Sequence, residues 1–166
     1  MTQAAVRPAT IDDAAAMASA QLDVWRTAYA AFLPAEVVAS LDLESATAAW
    51  ARAVGAVGET HLLVATEGTE VTGFAAGTGG EVATVLVAPR WGRRGHGGRL
   101  LGTLAHLLRQ GGAERAQVWV AEADEASLRF YPRHGWHPDG TVRTSHHGAQ
   151  VLRELRLTGS TDLYWR

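Results

Sequence analysis

The amino-acid sequence predicts an α+β (α/β) fold in which a mixed, mostly antiparallel central sheet is flanked by helices, and three observations carry that prediction. Residues 61–88 contain three apolar runs in succession, HLLVAT, VTGFAAG and EVATVLVA, turned by EGTE and TGGE. Consecutive strands joined by tight turns form an antiparallel meander. Directly behind them, Leu100, Leu101, Leu104, Leu107 and Leu108 recur at helical spacing until Gly111 and Gly112. Past that helix, residues 116–120 read as a buried strand, and VLRELRL at 151–157 alternates as a half-buried strand does. Strands and helices in this order assemble around one sheet.

The other elements follow in chain order. A short strand surrounds Val6, and Thr10 then stands as a helix cap with Asp13 three residues on. Met17, Leu22, Trp25 and Tyr29 lie three to five residues apart on one helical face, which Phe32, Leu33 and Pro34 break. Val37, Val38 and Leu41 predict a short second helix. After Asp42, the spacing of Leu43, Ala46, Trp50, Ala53 and Val54 predicts either its continuation or a third. Gly68 can take the positive φ that the first hairpin turn requires. A short helix runs from Asp124 to about Tyr131, where Pro132 stops it.

Length and composition set the bounds. A chain of 166 residues is expected to form one domain, 1–166. A hydrophobic fraction of 47% with 19% charged residues excludes a disordered chain, and no 18-residue apolar run predicts a spanning helix. The opening MTQAAVRPAT places arginine and proline where a secretory signal needs apolar residues, so a cytoplasmic location is expected. Without cysteine there is no disulfide, thiolate metal site or cysteine nucleophile. The net charge of −2 argues against a nucleic-acid-wrapping face. All 15 basic residues are arginine, which removes lysine phosphate loops and Schiff-base chemistry. Any anion site must therefore be local and built from arginine.

Such a site is visible in VLVAPRWGRRGHGGRL, residues 85–100, where four glycines and four arginines stand between a strand and a helix. The first turn of a helix leaves backbone N–H groups without intrahelical partners, and glycine lets an anion approach them closely. Arginine forks add charge-assisted hydrogen bonds to phosphate oxygens. The pattern suits a pyrophosphate cradle, although a solvated arginine loop has the same composition. It is not a mononucleotide loop, which needs G-K-[ST], nor a dinucleotide fingerprint, which would need glycine at Leu100.

The run VLVAPRWGRRGHGGRLL resembles the acetyl-CoA-binding signature of the GCN5-related N-acetyltransferase (GNAT) family: an apolar strand, a proline, an [RQ]-x-x-G-x-[GA] loop and a leucine-bearing helix. Gly95 and Gly97 fall on its two small positions and Pro89 at the strand end; Gly92 stands where the family usually has Arg or Gln, with Arg93 and Arg94 immediately after. VRPATIDDAAAM, VTGFAAG and EADEASLRFYPRHGWHPDG resemble three further family segments, so the likeness runs from residue 6 to 157. It implies a GNAT-like sheet whose fourth strand carries a β-bulge and splays from the fifth, leaving a notch for CoA. Acetyl-CoA is then the cosubstrate. Its binding residues would be Val85, Leu86, Val87, Arg93, Arg94, Gly95, His96, Gly97, Gly98 and Arg99, with Asp124 and Ser127 beyond. Among the arginines, Arg94 is favoured for the phosphates and Arg93 covers part of the role vacant at Gly92.

The resemblance also implies catalytic residues. Tyr131 matches the tyrosine that protonates the leaving thiolate, and Glu81 begins the central strand where several relatives carry an acid that activates the amine through water. Position alone suits Tyr131 as a packed aromatic and Glu81 as a strand-edge charge equally well. Trp25, Tyr29 and Phe32 fall where relatives admit the acceptor, although helical spacing also suits them to the core. The histidines His134, His137, His146 and His147 lack metal-ligand spacing, and the last two, beside GAQ, are read as a loop, so no metal is expected. The implied activity is direct transfer of acetyl from acetyl-CoA to a primary amine of a small molecule. An antibiotic (aminoglycoside-like) amine, a protein or peptide amine, and a non-catalytic acyl-CoA-binding module stay as alternatives. No nucleic-acid or membrane partner is expected, and self-association as a homodimer stays open.

Overall fold

A computed structural model describes residues 3–56 and 58–163, so the outermost residues of the expected domain 1–166 lie outside the described residues. Among the described residues, seven strands form one sheet in the order β1-β2-β3-β4-β5-β7-β6. They are β1 (Ala4–Pro8), β2 (His61–Glu67), β3 (Glu70–Thr78), β4 (Glu81–Val87), β5 (Arg115–Ala121), β6 (His137–His147) and β7 (Gln150–Ser160). Every neighbouring pair is antiparallel except β4 and β5. The helices are α1 (Ala14–Thr27), α2 (Ala35–Ala39), α3 (Leu43–Gly55), α4 (His96–Gln110) and α5 (Glu125–Arg133).

Local chemistry marks the starts of α1 and α3. The Thr10 amide donates to Asp13 at 2.7 Å, and Arg7 pairs with the same carboxylate at 2.7 Å, which holds the Asp13 acid below the usual carboxylate range. Asp42 caps α3 by accepting from the Ser45 amide at 2.8 Å. The leucines of α4 at positions 100, 101, 104 and 108 are buried against one sheet face with Leu63, Ala75, Val82 and Val118. On the opposite face, Met17, Ala20 and Val24 of α1 pack on Val64, Phe74 and Leu86. Apolar stripes on two helices thus sandwich the β2-β3-β4 part of the sheet.

Three expectations are corrected. The first helix ends at Thr27, so Tyr29 and Phe32 lie beyond it, Tyr29 in a short 3₁₀ turn. Pro132 does not stop α5, which runs on to Arg133. Proline in a final turn only forgoes one N–H bond to the preceding turn. His146 and His147 are not in a loop but close β6, paired with Val151 and Gln150 across a hairpin. That strand is at the sheet edge and largely exposed, so it shows little of the apolar alternation by which strands are recognised.

Candidate active site

The central feature is a break in register. In the β3–β4 ladder Ala76 faces Thr84 while the next residue, Gly77, faces Val82, leaving Ala83 as the extra residue of a β-bulge. Its consequence is a change of side. Val82 packs with α4, yet Leu86, which an unbroken alternation would put on the same face, packs with α1 instead. β4 pairs with β5 only through Glu81–Gln117 and Val82–Val118. Beyond the bulge the two strands part, and a cleft of about 310 Å³ lies between residues 83–86 and residues 118–121. This is the splay that the motif resemblance implied.

Tyr131 lines the cleft from α5, together with Asp124 and Ser127. Its ring packs edge-on to Phe130 and stacks on the fully buried Trp136, with centroids 6.0 Å apart. Burial raises the Tyr131 pKa well above that of an ordinary tyrosine, with the Tyr29 and Asp124 charges adding to it. The hydroxyl therefore keeps its proton at any pH near neutral. Asp124 caps α5: its carboxylate accepts the Ser127 amide at 3.2 Å and the Ser127 hydroxyl at 2.7 Å. Tyr29 lies against this pair, and burial, followed by the Asp124 charge, pushes its pKa up to about 12. Trp25 and Phe32 line the same cleft.

The glycine-arginine loop lies at the entry to α4. Gly95, at φ +82°, is the N-cap of α4, a conformation that a β-carbon disfavours. A β-carbon on Gly97 would stand 3.2 Å from the Phe130 ring. The His96, Gly97 and Gly98 amides occupy the first helical turn, ahead of the Arg99 amide that bonds to Gly95 O at 3.1 Å. Val85 and Leu86 line the cleft, and Val85 and Val87 both pack against the α4 side of the core.

The three arginines divide. Arg94 pairs with Glu67 at 2.8 Å and lies 5.0 Å over the Trp91 ring. Arg99 folds back onto the Arg94 carbonyl at 3.1 Å and His96 Nδ1 at 2.9 Å. Arg93 is exposed, holds φ +60° although it is not glycine, and has no partner among the described residues. The motif reading missed Glu67, whose carboxylate binds Arg94 through one oxygen and His96 Nε2 through the other, at 3.2 Å. His96 is almost fully buried, and burial, then the Arg99 charge, lowers its pKa. Two buried donors beside the loop, Trp91 Nε1 and Arg99 Nε, have no acceptor among the described residues. A glycine cradle, a free guanidinium and orphaned donors suit a polyanionic ligand.

Glu81 stands apart. It borders a separate depression with Gly77, Thr78 and Gln117, which shares only Ala83 with the cleft that holds Tyr131. The structure does not bring the two expected catalytic residues into one cavity. It brings Glu154 of β7 into the cleft instead, a residue that sat unremarked within the VLRELRL strand. Among the described residues no group of three or more His, Cys, Asp or Glu could hold a metal ion. None of the described helices is long and apolar enough to cross a membrane.

A split strand pair, with an arginine-framed helix N-terminus beside it, is the architecture of a group-transfer enzyme. The chain belongs to the acetyltransferase (GNAT) family, whose profile matches residues 22–136. Solved structures agree on the fold. PaiA N-acetyltransferase from Thermoplasma acidophilum, in complex with coenzyme A, superposes with a TM-score of 0.76 at 16% identity over 95% of this chain and 99% of that one. The Salmonella typhimurium protein yncA, with its cofactor acetyl-CoA, gives 0.74 at 20% identity over 99% and 97%. Ribosomal-protein-alanine N-acetyltransferase from Brucella melitensis gives 0.74 at 21% identity over 94% and 99%. No curated protein matches the chain.

Proposed function

We propose that this protein transfers an acetyl group from acetyl-CoA directly to a primary amine of a small molecule. The observation that carries the reading is the opening of β4 from β5 at the Ala83 bulge, with Tyr131 on its wall and the glycine-arginine loop at its end. When bound, acetyl-CoA supplies an activated acyl thioester. Arg93, which has no partner among the described residues, and the first-turn amides of α4 would hold its phosphates. Glu67 keeps Arg94 and His96 in place, which fixes the loop in its cradle shape. Tyr131 holds a proton at Oη and can release it to a departing thiolate as charge develops there. The neutral amine attacks the thioester carbonyl directly: the C–N bond forms as the C–S bond breaks, and the acceptor nitrogen gives its proton to water. No covalent enzyme intermediate is needed, since the chain has no cysteine and among the described residues no serine-histidine pair lines the cleft.

The test is a set of amines incubated with acetyl-CoA, with free thiol and N-acetylated product measured together. Stoichiometric thiol and acetylamide are expected for at least one small primary amine. Acetyl-CoA binding without product from any amine would make the protein a binding module instead.

A further inference from the structure

The acceptor side of the cleft is chemically one-sided. Among the described residues, aromatic rings, including Trp25, Phe32 and Trp119, and two carboxylates line it, and no arginine or histidine does. The two carboxylates are not equivalent. Asp124 is committed to the Ser127 amide and hydroxyl as the cap of α5. Glu154 accepts a single bond, from Arg143 Nε to Oε1 at 2.8 Å, and its Oε2 has no partner among the described residues. The Arg143 guanidinium in turn lies 4.3 Å over the Trp119 ring. β6 and β7 thus press one half-free carboxylate against an aromatic wall, with its side chain only 19% exposed.

A cation fits that place on two counts. Its charge is met by a partly desolvated carboxylate, and aromatic faces attract ammonium groups while they bury an apolar body. An anionic group would lose hydration there and meet no free counter-charge. We propose that the acceptor is a cationic amine with an apolar or aromatic body and no anionic group, and that Glu154 receives its ammonium. Glu154 is then the specificity-determining residue of the acceptor site. The inference rests on the acetyltransferase reading of the cleft, which the experiment separates from it.

Matched probes test it on the wild-type protein, so no variant need fold for the first arm. With acetyl-CoA present, 2-phenylethylamine should be acetylated with kcat/KM at least about tenfold above L-phenylalanine, which adds only a carboxylate, and above glucosamine. In the second arm, calorimetry compares wild type with Glu154→Gln, which keeps an acceptor for Arg143 and removes the charge. The Kd of 2-phenylethylamine should rise about tenfold, while that of its neutral isostere 2-phenylethanol stays within about twofold. Preference for phenylalanine or glucosamine overturns the substrate class and leaves the transferase standing. Equal 2-phenylethylamine affinity in wild type and variant overturns the role of Glu154. Binding that depends on Glu154, with no acetylation of any amine, upholds the recognition and removes the transferase.

Discussion

At its start β4 lies in ladder register with β5 through Glu81 and Val82, whereas from Thr84 onward the same strand leaves that partner and forms the wall of the cleft. One extra residue, Ala83, separates the two regimes. The paired half buries Val82 under α4 and leaves Glu81 exposed at the sheet end; the open half exchanges which side chains face α1 and brings strand backbone to the cleft. A bulge in a central strand therefore does more than bend it: it converts a paired strand into the wall of a cleft within four residues. Chemistry should accordingly depend on residues around the open half and be nearly indifferent to those at the paired end.

The largest effect should come from Tyr131, on the wall of the open half. Replacement by phenylalanine retains the ring stacked on Trp136, so kcat should fall roughly tenfold to a thousandfold with little change in acetyl-CoA affinity. Single-turnover acetyl transfer is the measurement, because product release can mask the step in steady state. Since burial raises the Tyr131 pKa, its hydroxyl stays protonated and able to donate between about pH 6 and 9. A descending limb in that range that disappears in Tyr131→Phe would contradict this assignment.

Next comes the loop that follows the open half. Gly95→Val puts a β-branched residue at φ +82° in the cradle and should weaken acetyl-CoA binding at least tenfold, about 1.4 kcal/mol, in titration calorimetry of protein shown to be folded. An unchanged dissociation constant would remove the cradle assignment.

The arginines give a smaller but sharper contrast. Arg93→Gly relaxes the left-handed backbone while deleting the free guanidinium, so stability should hold or rise as acetyl-CoA affinity falls roughly fivefold to tenfold at low salt. Arg94→Ala should cost less affinity, because that guanidinium is already engaged by Glu67. The reverse ranking would restore Arg94 as the principal phosphate ligand.

The smallest effect is expected at the paired end. Glu81→Gln should leave kcat/KM within about twofold across the pH range, since Glu81 faces a different depression from Tyr131. A loss of activity beyond tenfold would show that the two ends of β4 act together.

Near neighbours in the chain settle the features that local chemistry controls. Leucine spacing set α4, Asp42 and Asp124 marked helix starts, and the clustered glycines and arginines at 92–99 marked the entry to α4. These depend on φ preference, capping and periodicity over a few residues. The family signature added the splay, but nothing in EVATVLV marks Ala83 as the residue left over, because a bulge is defined by the register of the partner strand. Tertiary contacts alone settle that Arg94 pairs with Glu67, that exposed β6 is a strand, and that Glu154 enters the cleft while Glu81 stays out. Each of those outcomes is a contact between residues that folding brings together from distant parts of the chain, and its free energy is set by burial and pairing that no local pattern encodes.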